Sequence, residues 1–116
     1  MKIIINVWSL PIPDDKTIIY DEKQNVCLLE GKPVKTDVKT DMQVILDCLA
    51  GAPLEMSMPV MDGWGCRIEI EKDGSVREYK FSNSFPKGFD KVLSTISKLP
   101  RYNEPSKEWK RMRKYF

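Results

Sequence analysis

The sequence predicts an α+β domain: an antiparallel sheet of about five strands with two helices packed on it, in the order βββαββα, followed by a basic C-terminal tail. Three observations carry this. Short apolar runs sit between turn residues, two longer stretches repeat their apolar residues at helical spacing, and the strands are paired by short turns with helices inserted between them. With 116 residues, 41% hydrophobic and 31% charged, the chain has the composition of one globular domain and enough length to bury a real core. Residues 1–100 are assigned to that domain and 101–116 to the tail.

Residues 2–9, KIIINVWS, are β-branched and aromatic and predict a strand central enough to be buried on both faces. The prolines of Leu10-Pro11-Ile12-Pro13-Asp14-Asp15 predict a loop, since each removes a donor and fixes φ. Thr17–Asp21 and Val26–Glu30 flank Glu22-Lys23-Gln24-Asn25 and predict a hairpin, ended by Gly31-Lys32-Pro33. A helix follows from about Asp37 to Leu49. Thr36 or Asp37 serves as N-cap, Met42, Ile45, Leu46 and Leu49 share a face, and Gly51 and Pro53 stop it. Residues 52–63, APLEMSMPVMDG, predict a loop.

Asp73-Gly74 is the strongest short hairpin signal, because a type I′ turn needs φ > 0 at both central positions. A two-residue loop there pairs Lys72 with Ser75, Ile68 with Tyr79 and Cys66 with Phe81, which puts two apolar pairs on one face. Arg67, Glu69 and Glu71 then point the other way, with Glu69 diagonal to Lys80 and Arg67 diagonal to Glu78. The directly opposed Glu69–Glu78 and Arg67–Lys80 pairs are like-charged and mildly unfavourable. A one-residue slip would bury the whole charged face, so this register is preferred. Pro86 lies near the first turn of a second helix, whose apolar stripe is Phe89, Val92, Leu93, Ile96 and Leu99 and which Pro100 ends. In the tail, a short helix from Pro105 would place Trp109, Met112 and Phe116 on one face.

Net charge is +2 but unevenly placed: −4 over residues 1–62 and +6 over 63–116. The three cysteines, Cys27, Cys48 and Cys66, are odd in number and irregularly spaced, which reads as reduced, mostly buried thiols of a cytoplasmic protein. The N-terminal apolar run is too short for a secretory leader, and no run approaches the ~20 apolar residues of a membrane span.

Catalysis finds little support in the residue types. The chain has no histidine, which removes the commonest base near neutral pH and most zinc sites. The cysteines fall on or near apolar stripes and read as core thiols. Asp14-Asp15, Asp21-Glu22 and Glu69/Glu71 have no spacing that demands acid–base work, and Asp37 and Asp41 lack the glycine and closing glutamate of a calcium loop. No catalytic residue, metal or cofactor is assigned. The tail interleaves Arg101, Lys107, Lys110, Arg111, Arg113 and Lys114 with aromatics that include Trp109. That composition suits nucleic acid, but it suits still better an amphipathic segment packed on its own domain, because a single basic tail is a weak nucleic-acid signal. Trp64, entering a strand after Asp62-Gly63, reads as a core plug or an interface anchor.

The stretch from Asp62 to Phe89 resembles a recurrent C-terminal pattern of small bacterial immunity-type proteins. There, a DG and an aromatic strand of (L/I)-x-(L/I) form precede a polar turn, then N-x-(Y/F)-P-x-x-(F/W) and a helix. Asp62 and Gly63 match the DG, Ile68 and Ile70 the strand, and Asn83, Phe85, Pro86 and Phe89 the turn into the helix. The tryptophan follows the glycine directly, and Ser82 stands where the pattern has glycine. The resemblance covers about residues 61–100. It implies an immunity protein of contact-dependent inhibition or a related polymorphic toxin system. Such a protein binds one cognate toxin domain, often a nuclease, and blocks its active site or substrate entry. On that reading the acidic half supplies the interface, with Asp14, Asp15, Asp21, Glu22 and Asp62 beside Trp64. The alternative is a nucleic-acid-associated protein that uses the basic tail.

Overall fold

Lys2–Leu10 (β1) is the middle strand of the molecule, and it is middle because its alternate residues Ile3, Ile5 and Val7 must all leave water. In the computed structural model, which describes residues 1–10, 16–58 and 63–100, it is followed by β2 (Lys16–Asp21), β3 (Val26–Leu29) and β4 (Lys32–Val34). Then come helix α1 (Val38–Leu49), β5 (Glu55–Ser57), β6 (Gly63–Lys72), β7 (Ser75–Ser82) and helix α2 (Phe89–Ser97). The strands form one seven-stranded sheet in the order β4-β3-β2-β1-β6-β7-β5. All described pairings are antiparallel except β5 on β7, which is parallel.

The architecture is α+β with two helices, as expected, but the sheet is mixed and larger than the five antiparallel strands predicted. Two strands were hidden at the edges. Glu30 and Gly31, both at positive φ (51° and 78°), turn the chain back on itself, so Lys32–Val34 pairs with β3 instead of ending the sheet. Pro33 is tolerated there because β4 is an edge strand and owes no further ladder donor. Glu55–Ser57 lies in the segment read as loop. It becomes a strand because Lys80 N–H donates to Leu54 O (2.8 Å) and Met58 N–H to Ser82 O (3.0 Å), anchoring both its ends to β7. Three residues are too few to show a period in sequence.

The β6–β7 register is the one predicted: Lys72 opposes Ser75, Ile68 opposes Tyr79 and Cys66 opposes Phe81, with Asp73 and Gly74 at φ 51° and 80°. The diagonal pair forms, Arg67 Nε to Glu78 Oε1 at 3.3 Å. The helix-facing side of the sheet carries Ile3, Ile5, Val7, Ile18, Tyr20, Cys27, Cys66, Ile68 and Phe81, all at most 1% exposed. Against it α1 lays Val38, Met42, Ile45 and Leu49, and α2 lays Phe89, Val92, Leu93 and Ile96. The opposite face is not fully buried, contrary to expectation for β1: Ile4, Asn6, Trp8, Ile19 and Leu28 are half-buried there.

Asp37 caps α1 by accepting the Thr40 N–H (3.1 Å), and these hydrogen bonds hold its carboxyl below the usual range. One turn on, Asp41 Oδ2 accepts from the hydroxyls of Tyr20 (3.0 Å) and Thr36 (2.5 Å), which ties the start of α1 to β2. Burial and the neighbouring Asp41 carboxylate raise the Tyr20 phenol far above its ordinary pKa, so it stays a donor. Helix α2 starts later than Pro86 suggests. Pro86 precedes a turn closed by Phe89 N–H on Pro86 O (3.2 Å), with Gly88 at φ 84° as N-cap.

Two glycines in β6 permit close approaches that a side chain would prevent. At Gly63, with φ 148°, a Cβ would lie 1.7 Å from Asn83 Oδ1. At Gly65 it would lie 2.3 Å from Trp8 Cζ2 and 2.8 Å from the Phe81 carbonyl oxygen. Gly63→Ala combines backbone strain with overlap, so it is expected to cost about 2–4 kcal/mol, read as a lowered midpoint in urea denaturation with an unchanged slope. A loss under about 0.5 kcal/mol, the scatter of neutral surface changes, would refute the close packing described.

Candidate interaction surface

The segment that carries the family-like pattern builds a clasp. Asn83, in the left-handed region at φ 57°, accepts the Trp64 N–H at Oδ1 (3.0 Å) and donates its own N–H to Trp64 O (3.0 Å). This leads the chain off β7 so that Phe85 stacks on Trp64 (centroids 4.2 Å apart, 21° between planes) and Phe89 stacks on Phe85 (4.9 Å, 26°). Phe81 meets Phe89 edge-on at 5.8 Å. Trp64 is 3% exposed. It is therefore the core plug of the two readings open in sequence, and its ring offers no surface to a partner.

The remaining site residues predicted from sequence divide. Asp21 and Glu22 are tied into local structure: Asp21 Oδ1 accepts the Gln24 N–H (3.1 Å) in the β2–β3 turn, and Glu22 Oε1 lies 3.6 Å from the N-terminal ammonium. Asp14, Asp15 and Asp62 fall outside the described residues, as do Arg101, Lys107, Trp109, Lys110, Arg111, Arg113, Lys114 and the helix expected from Pro105. Asp21 opposes Lys2, and Lys2 opposes Glu71, at the far end of β6 from Trp64. At ~3.3 Å per residue that is about 23 Å, so Trp64 and the Asp21-Glu22 turn do not form one patch.

A different surface gathers at the Asp21 end. A groove of about 930 Å³ runs between the edge of β7 and the segment 50–54 that leaves α1. Leu46, Leu49, Ile70 and Tyr79 line it, Leu54 stands at its mouth, and Lys72, Asp73 and Arg77 supply the charge; Val76 borders it, with its side chain on the sheet's other face opposite Glu71. Leu54 and Val76 are 55% and 61% exposed, and among the described residues only Met58 is a comparably exposed large hydrophobic. A shallower depression of about 480 Å³ adjoins the same hairpin tip and is lined by Met1, Lys2, Asp21 and Glu71 among others. The sequence did hold a signal for this surface: Leu54 is apolar in a segment bounded by proline.

The thiols do not converge on this surface. Cys27 and Cys66 are buried and Cys48 is half-buried on α1, and all three are free. Burial pushes the Cys27 thiol up to about 11, with the Asp41 carboxylate adding to it. Burial likewise raises Cys66 and Cys48. Near neutral pH all three are protonated and poorly nucleophilic. Among the described residues no helix is long and apolar enough to cross a membrane, and no three His, Cys, Asp or Glu side chains are placed to hold a metal ion.

Comparison with protein-family models, curated proteins and solved structures finds no match to this chain.

The thiol environment sets an expected pH dependence. Unfolded Cys27 would ionise near 9, whereas the folded thiol holds its proton to about 11, so its contribution to stability is complete below about pH 9 and is lost as pH rises toward 11. Tyr20 acts in the same direction. Urea titrations are expected to show stability falling over that window, less steeply in Cys27→Ala. A thiol-modifying reagent should label Cys48 in the native protein, and Cys27 and Cys66 only after unfolding. Equal labelling rates for all three would contradict the burial.

Proposed function

We propose that this chain works by binding another protein: an immunity-type inhibitor that neutralises a cognate toxin domain by covering its active site or substrate entry. The observation that carries the reading is the groove beside β7, where the large apolar side chain of Leu54 stands in water at the mouth of a concavity edged by charge. Exposed apolar surface rimmed by polar groups is the usual mark of an interface. The resemblance of residues 61–100 to immunity-type proteins supports the same conclusion. So does the structural use of that pattern: Gly63, Asn83, Phe85 and Phe89 build a rigid support and leave the surface elsewhere to differ. Protonated, buried thiols fit a binding role better than a nucleophilic one and suit a reducing cytoplasm. The acidic turn at Asp21 and Glu22 borders the same end of the sheet and would steer a basic partner toward it.

The test pairs this chain with the toxin encoded beside its gene. Co-expression should rescue growth of cells making the toxin domain, and the purified proteins should form a complex. The variant Leu54→Asp should weaken binding at least about tenfold, or ~1.4 kcal/mol, with thermal stability unchanged because the side chain is already exposed. Charge reversal at Asp14, Asp15, Asp21 and Glu22 should slow association at low salt and leave dissociation nearly unaffected. Rescue by the Leu54→Asp variant at wild-type level would remove the groove from the interface. A neighbouring gene product that is not toxic would remove the reading itself.

A further inference from the structure

The groove has a second property, set by the backbone of β7. A two-residue turn closes on a hydrogen-bonded pair, so Ser75, Arg77, Tyr79 and Phe81 direct their N–H and C=O toward β6, and Val76, Glu78, Lys80 and Ser82 direct theirs outward. The hydrogen bonds at the two ends of β5 agree: the Lys80 N–H donates to Leu54 O and the Ser82 carbonyl accepts from the Met58 N–H. But β5 lies alongside only Lys80–Ser82. From Ser75 to Tyr79 no strand borders β7 among the described residues, and the space beside it is the groove.

The sheet's outermost strands are shorter than this stretch. β4 is three residues long and carries Lys32 and Pro33, and β5 is three residues long and begins with Glu55. The open stretch of β7 is five residues long and has no proline, and among the described residues its outward pair of Val76 and Glu78 leaves two donors and two acceptors available. A strand added there would alternate its side chains between the sheet's two faces. Those on the helix side would fall beside Arg77, over the apolar floor of Leu46, Leu49 and Ile70, with Lys72 close to Arg77 across the hairpin.

We propose that the partner is held by strand addition: an extended segment of a partner protein pairs with Val76 and Glu78 along the open edge of β7. On its groove side it presents an apolar residue and, two positions away, a carboxylate that meets Arg77 and Lys72. The charges choose this occupant over a second copy of the chain. Two copies paired antiparallel about Arg77 or Glu78 oppose like charges, and pairing about Val76 runs Glu78 into the turn glycine of the other copy. The inference rests on the reading of the chain as a protein-binding inhibitor and specifies how that binding is made.

Proline separates backbone pairing from side-chain contact. Glu78→Pro removes an outward N–H that β6 does not use, so the hairpin keeps its ladder, whereas Glu78→Ala removes only the carboxylate. The probe is the acetylated, amidated peptide Thr-Leu-Thr-Glu-Thr, titrated into the ¹⁵N-labelled full chain. The amide signals of Val76 and Glu78 are expected to shift saturably at millimolar peptide, and lysine in place of the peptide's glutamate should weaken this at least about fivefold. Glu78→Ala should bind within about threefold of wild type, and Glu78→Pro should not bind while keeping the wild-type pattern of β6 amide signals. No saturable shift, or binding by Glu78→Pro equal to Glu78→Ala, would overturn the proposal. So would shifts at Val76 and Glu78 that grow with protein concentration in the absence of peptide. Toxin neutralisation by the same variants keeps the two claims apart. Full neutralisation by Glu78→Pro overturns strand addition and leaves the inhibitor reading standing. Peptide binding as described, in a chain that meets no toxin, supports strand addition and retires the toxin.

Discussion

The clasp between Asn83 and Trp64 is the constraint on which the second half of the molecule depends. Two backbone-directed hydrogen bonds of 3.0 Å fix where β7 ends and in which direction the chain departs. Only then does Phe85 reach the Trp64 ring and Phe89 reach Phe85, and Phe89 is the first residue of α2. Each aromatic contact adds about 0.5–1.5 kcal/mol beyond the area it buries. The conformations required are uncommon ones: a non-glycine residue at φ 57° and a glycine at φ 148° with an amide oxygen where its side chain would be. Asparagine tolerates the first better than most residues, and only glycine satisfies the second.

Sequence revealed the parts of this fold in which local and long-range forces agree. Asp73-Gly74 encoded both a turn and, through the alternation around it, a register that holds over every paired residue from Lys72–Ser75 to Cys66–Phe81. The helix stripes were legible because α1 and α2 each bury one face against a sheet. The strands β4 and β5 were not, because three-residue edge strands owe their existence to a neighbour's unpaired backbone and not to their own side chains. The site followed the same division. Trp64 could be placed at the mouth of a strand, but whether its ring faced core or solvent depended on Phe85 and Phe89 folding over it. The groove joins α1, the segment 50–54 and the β6–β7 hairpin, a juxtaposition that no single window of sequence contains.

The two halves of the chain lie on opposite sides of the sheet. β1 to β4, from the acidic half, fill one side of the sheet, and β6 and β7, from the basic half, fill the other, with the boundary running between β1 and β6. β5 is the exception: it carries acidic Glu55 across to the basic side, opposite Lys80.

The central position of β1 has a consequence for how the protein is made. Of the described strands β1 is synthesised before the others, and it pairs on one side with β2, which follows at once, and on the other with β6, whose residues come about 60 positions later. At ~5–20 residues per second, several seconds pass in which a nascent meander of β1 to β4 displays Ile3, Ile5 and Ile18 and one bare flank. Helix α1 is the next element synthesised. By laying Met42, Ile45 and Leu49 on that apolar layer it shields the half-built sheet until its second half arrives.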